Sequence, residues 1–389
     1  MSSRAMGVGT SGVTIDGRIV GAALLLLVVL VWQAGQAAGP NMAALAVVGG
    51  LLGLVLHHAS FGFTAAWRRF VTTGEGHGLR AQMLMLALAV CLFFPALAAG
   101  ELFGRPVGGF VFPVGLGVVA GAFVFGIGMQ LGGGCGSGTL FTVGGGSTRM
   151  VLTLFFFVAG SVVAIGHLPF WHGLPGIGGV SAITMLGLWP ALLLHLALFA
   201  LIVALTLQVE RRRGVSSRPR TAGDWLRGPW PILAGAAALA VLNFLTLWLA
   251  GRPWGITSAF ALWGAKGLDA LGVEIAAWHN WGGMAGAIER SVLFDVTSVM
   301  NFGIVLGAML AAGLGGRFRP TLRLGAGDIG SAVLGGLLMG YGARLAFGCN
   351  IGAFFSGIAS GSLHGWVWLV AAFAGSMIGV RLRPLFGQP

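Results

Sequence analysis

The chain has 389 residues, of which 57% are hydrophobic and only 8% charged, and its net charge is +12. A water-soluble domain carries about 25% charged residues, so these proportions exclude a soluble enzyme and point to a polytopic membrane protein of mean hydropathy +0.92. The positive charge comes from 21 arginines and one lysine, Lys266; in such a chain it signals membrane topology, and no nucleic-acid partner is read from it.

Apolar runs of about 20 residues, the length a helix needs to cross the hydrocarbon, predict ten spans. They lie at 19–38, 41–58, 80–99, 111–130, 149–168, 184–207, 230–250, 294–314, 327–347 and 363–381. The first lacks a convincing small-residue cleavage pattern and is read as a span, not a signal peptide. Four stretches between spans, 60–77, 131–147, 254–281 and 348–362, are too polar or glycine-rich to cross yet too apolar for ordinary loops. Asp295 and Asp328 open spans and read as N-caps. His195 and His364 read as packed or interfacial, and WHNWGGM, 278–284, as an interface belt.

With the N-terminus in the cytoplasm, Arg and Lys between spans divide 17 inside against 4 outside, with Arg344 left inside a span. That bias places both termini in the cytoplasm. The one clearly soluble linker, ERRRGVSSRPRTAGDW (210–225), falls near the midpoint. The expected organisation is a first membrane repeat over 1–209, a basic cytoplasmic linker over 210–229 and a second repeat over 230–389.

The halves match around two cysteines. With Cys349 laid on Cys135, Gly340 and Gly342 fall on Gly126 and Gly128, Gly348 on Gly134, Gly352 on Gly138 and Gly335 on Gly121. A weaker match pairs Phe61-Gly62-Phe63-Thr64 with Trp254-Gly255-Ile256-Thr257. Five spans per half invert the second half, and inverted repeats with broken helices meeting near the midplane are a common way to build a transport site. The expected fold is therefore all-α, about ten spans in two inverted-topology repeats, with paired re-entrant Gly-Cys hairpins giving an hourglass.

Irregular backbone at membrane depth occurs only where protein or a water-filled cavity covers it. The stretch QLGGGCGSGTLFTVGGGS, 130–147, is thus expected to line a pathway with Cys135 near its tip, or else to let helices pack closely through small residues. A helix starting near Gly136 or Gly138 would aim its free N–H groups at that tip, an end that attracts anions. An unperturbed cysteine is mostly thiol near neutral pH, a weak donor and a weak, polarizable acceptor. Weak partners suit a route where binding must also let go, so Cys135 and Cys349 are expected to pass a soft sulfur-containing anion between them. Asn350 offers amide donors or local backbone satisfaction; Gln130 is placed to line the path. Arg344 either draws an anion into the outer funnel or snorkels to the interface. No metal, cofactor, P-loop or hydrolase motif stands out.

The two stretches GGGCGSGTLFTVGGGS and FGCNIGAFFSGIASGSLHGWVW resemble the YeeE/YedE sulfur-transport family over roughly residues 45–383. The resemblance implies a bacterial inner-membrane protein whose cysteines handle thiosulfate through S–H···S contacts along a narrow path. It carries Cys135 and Cys349 over as substrate contacts, and it implies a TusA-like sulfur carrier as a cytoplasmic partner. FGFTAAWRRF, 61–70, departs from it: the family often reads Phe-Cys-Phe where Gly62 stands, so one relay thiol is missing. Cys91, inside the third span, either substitutes for it or is simply a small packed residue. The departure widens the substrate to another small sulfur or selenium species.

The resulting expectation is a transporter or conduit, not an enzyme, bringing thiosulfate or a similar anion into the cytoplasm. The rivals are a channel for another small solute and a membrane sulfurtransferase that forms a cysteine persulfide.

Overall fold

The computed structural model describes residues 14–215, 223–275, 278, 285–321 and 323–388. Part of the linker, with Arg218 and Arg220, and all of WHNWGGM except Trp278 lie outside the described residues. Among the described residues, 10 helical spans are long and apolar enough to cross a membrane. Each coincides with one of the ten expected runs, and the chain is a multi-pass α-helical membrane protein.

In chain order the helices begin with α1 (Gly17–Ala38), α2 (Pro40–His58), α3 (Phe63–Thr73), α4 (His77–Ala99), α5 (Leu116–Gly132), α6 (Gly136–Gly144), α7 (Thr148–His172), α8 (Ala182–Leu186) and α9 (Leu188–Arg213). After the linker come α10 (Ile232–Ala250), α11 (Thr257–Ala270), α12 (Ala285–Glu289), α13 (Val296–Leu314) and α14 (Ala326–Leu345). A π-helix, Asn350–Phe355, then runs into α15 (Ser356–Ala359), and α16 (Leu363–Leu382) closes the bundle. Two short hairpin-like pairings join connections at one end: β1 (Glu101–Leu102) with β2 (Arg105–Pro106), and β3 (Pro113–Gly115) with β4 (Gly176–Gly179).

Two expected boundaries move for physical reasons. The run 111–130 becomes helix only at Leu116, because Pro113–Gly115 pairs with Gly176–Gly179 and Pro113 has no N–H for a helix to use. The run 184–207 is cut at Gly187, whose left-handed φ of 80° separates α8 from α9. Asp295 is the N-cap of α13, accepting the Ser298 amide at 2.8 Å and its hydroxyl at 2.6 Å. Asp328 is not a cap. Gly325 holds that position, and the Asp328 carboxylate instead faces Arg149 Nε at 3.6 Å.

Glycine brings the backbones together. A Cβ at Gly53 would lie 2.0 Å from the Ile304 carbonyl oxygen, and one at Gly307 would lie 1.8 Å from that of Gly50, so α2 and α13 touch main chain to main chain. The same holds for Gly126 and Gly375 between α5 and α16, and for Gly160 and Gly340 between α7 and α14. Such contact gains dispersion energy where lipid offers no hydrophobic drive. Several glycines that match between the halves (Gly121, Gly126, Gly128, Gly335, Gly340, Gly342) are therefore packing residues.

The contacts sort the connections into two ends. At the basic end, Glu210 of α9 accepts Arg80 at 2.8 and 3.2 Å and the Gly76 amide at 2.8 Å, and Arg317 reaches the Arg227 carbonyl at 2.7 Å. At the other end, Ser181 bridges to Ser362, Gly108 donates to the Gly251 carbonyl at 2.9 Å, and Arg252 donates to Thr297 Oγ1 at 3.0 Å. Between them lies an aromatic core, in which Phe354 stacks on Trp368 with centroids 6.3 Å apart and meets Trp67 and Phe63 edge-on.

Candidate functional site

The four stretches that looked too irregular to span each hold the start of a short helix: α3, α6, α11 and the π-helix. Their starts lie close together. Phe63, first in α3, packs on Phe354 of the π-helix at 6.0 Å. A Cβ placed on Gly136, first in α6, would meet Cys349 Sγ at 2.9 Å and Ile256 Cγ2, just before α11, at 3.4 Å. Gln130 Nε2 donates to the Thr64 carbonyl of α3 at 3.2 Å.

Two of these starts are capped by cysteine. Cys135 is the N-cap of α6 in extended backbone; its carbonyl accepts the Thr139 amide at 2.8 Å and the Thr139 hydroxyl at 2.9 Å, and its Sγ lies 3.4 Å from Ser137 Oγ. Cys349 is the N-cap of the π-helix, and its Sγ accepts the Ile351 amide at 3.5 Å. Its carbonyl is shared by the Ala353 amide at 2.9 Å and the Phe354 amide at 3.4 Å, the signature of a wound-out turn. Gly134 and Gly348 precede the two caps; Gly348 has a φ of 155°, and a side chain on it would press the Ala353 amide nitrogen at 2.7 Å. Both thiols are buried, 1% and 0% exposed. The Gly136 contact places Cys349 Sγ beside the residue after Cys135, where the N-termini of α6 and the π-helix bring positive dipole ends.

Asn350, next to Cys349, is fully buried, and neither polar atom of its amide has a hydrogen-bond partner among the described residues. Local backbone satisfaction, one of the two expectations for it, is therefore absent. Gln130 is a brace: it ties α5 to Thr64 of α3, to Ser376 of α16 at 2.7 Å, and through its carbonyl to Arg383 at 2.7 Å. Gly62 is the N-cap of α3 in ordinary extended geometry, and a Cβ there would meet only Ala65 Cβ, at 4.0 Å.

Cys91 is exposed. It falls in the stripe Leu84, Leu88, Cys91, Pro95 on the outer face of α4, at i, i+4, i+7 and i+11, one side of a helix. Unlike Cys135 and Cys349 it is not buried, which corrects the alternative that it is a small packed residue. His195 and His364 are packed as expected: each donates a ring N–H to a main-chain carbonyl, of Ala191 at 2.8 Å and of Ala346 at 2.9 Å.

Above Cys349, toward the end opposite the basic one, opens a cavity of about 290 Å³. Arg344 and Arg252 line it with Thr257, Ser258, Phe347 and Gly348. The Arg344 Nε is buried and has no hydrogen-bond partner among the described residues. Phe347, whose left-handed φ of 55° is unusual for an aromatic residue, stacks between Phe112 at 5.1 Å and His172 at 6.4 Å. It lines the cavity two residues before the buried Cys349. The sequence reading missed Phe112, His172 and Arg252; the pairing of Trp254–Thr257 with Phe61–Thr64 was the signal nearest to them.

A ten-span bundle whose broken helices start at one buried point, two of them on cysteines, defines a polytopic membrane transport protein. Residues 58–378 match the family model described as Sulphur transport, and the chain belongs to that family. It is similar to the thiosulfate transporter TsuA of Spirochaeta thermophila, 29% identical over 82% of this chain and 92% of that protein. TsuA of Escherichia coli is 27% identical over 85% of this chain and 91% of its own length. A probable transporter, YedE of Escherichia coli, is 32% identical over 167 residues, 42% of this chain and 41% of that protein.

Proposed function

We propose that the chain takes up thiosulfate, or a closely similar sulfur-containing anion, across a bacterial inner membrane, and that Cys349 and Cys135 hand the anion through the waist. The observation that carries this is the approach of Cys349 Sγ to Gly136, the residue after Cys135, where a Gly136 side chain would collide with it. Helix N-termini attract the charge, while the thiols offer the terminal sulfur weak contacts that release as readily as they form. Asn350 supplies amide donors beside them. The two TsuA relatives, aligned over most of their length, support the same substrate.

On this reading 1–209 and 230–389 are inverted repeats joined by a cytoplasmic basic linker, and the two Gly-Cys segments are re-entrant. The arginine excess puts the basic end and both termini in the cytoplasm, so the cavity above Cys349 faces outward. Importing a dianion against an inside-negative potential costs roughly 4.6 kcal/mol at 100 mV. Consumption inside offsets that cost, and a TusA-like sulfur carrier accepting the product would provide it.

The test is growth of an uptake-deficient bacterium on thiosulfate as sole sulfur source, with the native chain, Cys135→Ala and Cys349→Ala. Rescue by the native chain and its loss in both variants is the expected result; rescue that survives both substitutions defeats the relay. Mass spectrometry of the purified chain after exposure to thiosulfate separates transport from sulfurtransfer: a persistent persulfide on either thiol favours the enzyme.

A further inference from the structure

We propose that the cavity above Cys349 is an oxyanion-binding vestibule for tetrahedral divalent anions, sulfate included, and that it selects for charge and oxygen geometry before any thiol is reached. The proposal rests on the uptake reading only for the direction of traffic; the binding site stands on its own geometry.

Among the described residues, two guanidinium groups line the cavity and no carboxylate does. Arg252 spends one N–H on Thr297 Oγ1. The nearest acid, Asp295, is committed to capping α13 through Ser298. Arg344 has no hydrogen bond or ion pair among the described residues, and its Nε is buried and unpartnered. A cation left unpaired inside a membrane protein is costly and marks an ion site or pathway. Helix α11, 14 residues long, opens into the same cavity at Thr257 and Ser258, and its N-cap is Ile256, whose side chain cannot accept a hydrogen bond. The first-turn N–H groups of α11 thus add donors to the two arginines. Gly255, Gly348 and Gly352 keep the wall free of side chains. A rigid guanidinium fork suits two oxygens of a tetrahedral anion, and two forks suit a charge of −2.

Sulfur plays no part in this recognition, because Cys349 is fully buried below the floor. Selection is then split. The vestibule accepts sulfate and thiosulfate alike; the thiols beyond it favour the anion that carries a terminal sulfur. Sulfate becomes an occupant that blocks and does not pass.

The experiment measures sulfate binding to the purified full-length chain by calorimetry at constant ionic strength, with nitrate as the monovalent reference. Native protein is expected to bind sulfate and to bind nitrate far more weakly. Arg344→Gln is expected to weaken sulfate binding roughly tenfold or more, the loss of a charge-assisted contact. Arg252→Gln serves as a second variant if the first does not fold, and a weakening there supports the site equally. Unchanged sulfate affinity in the folded arginine variants, or no sulfate binding by the native chain, overturns the proposal. If sulfate binding depends on Arg344 while the native chain moves no thiosulfate, the uptake reading falls and the vestibule stands. Sulfate should also inhibit thiosulfate uptake competitively; non-competitive inhibition argues against a shared vestibule.

Discussion

Gly136 offers the sharpest test of the thiol pair. An alanine there places a methyl 2.9 Å from Cys349 Sγ and 3.4 Å from Ile256 Cγ2. Comfortable contact is about 3.5–4.0 Å, so the sulfur must retreat by roughly 0.6–1.1 Å. Overpacking of this kind costs about 1–3 kcal/mol, which is roughly 5- to 150-fold if the whole of it falls on the transport barrier. Gly138, two residues along the same helix, is the control. A methyl there meets Cys135 Sγ at 3.5 Å, an ordinary contact, and alanine for glycine inside a helix gains about 0.5–1 kcal/mol. Initial rates of labelled thiosulfate uptake into vesicles, with chain amounts matched by size exclusion, should fall for Gly136→Ala and hold for Gly138→Ala. Equal rates for native and a properly folded Gly136→Ala would show that the position of Cys349 Sγ does not govern passage.

Cys91→Ala should leave both uptake and melting temperature unchanged, since the residue lies on the exposed stripe of α4; a defect in uptake would return it to the route. Gly62→Cys should fold normally, because the backbone is ordinary extended chain and a Cβ finds no neighbour closer than 4.0 Å. The added thiol should raise uptake or broaden the accepted substrates, and circular dichroism with uptake kinetics would detect a misfolded or inert variant that contradicts this.

Hydropathy alone located all ten crossings, because length and apolarity are what the bilayer demands of a helix. It failed where apolar residues do other work. Val111 and Phe112 read as the lip of a span, yet Phe112 stacks on Phe347 at the cavity and Pro113 opens a strand. The Gly-Cys pair was legible because a thiol and a bare backbone recur together in both halves. Cys91 was not, because α4 is apolar over much of its surface, as Leu84 and Leu88 on the exposed side and Leu86 and Ala89 on the buried side show; a thiol in such a helix carries no directional signal. The vestibule was the least legible feature. Its lining comes from four separate segments, around Phe112, His172, Arg252–Ser258 and Arg344–Gly352, and only packing joins them.

The alignment of the halves pairs Gln130 with Arg344, each five residues before its cysteine, and the two positions are used in opposite ways. Gln130 is held by α3, α16 and Arg383, so its own amide is used as a brace on that side. Arg344 is left without a partner at a cavity. If the repeat served packing alone, a part-buried guanidinium with no partner among the described residues would be a pure cost, and a neutral side chain would have been stabler. The cost makes sense where an incoming anion supplies the missing charge. The waist between them is shut, with both sulfurs at most 1% exposed, so an anion held by Arg344 faces a barrier and not an open pore. Passage then requires Phe347 or the Cys349 turn to yield. A thiol pair that grips weakly is suited to that moment, since anything held firmly at the waist would keep the gate from closing behind it.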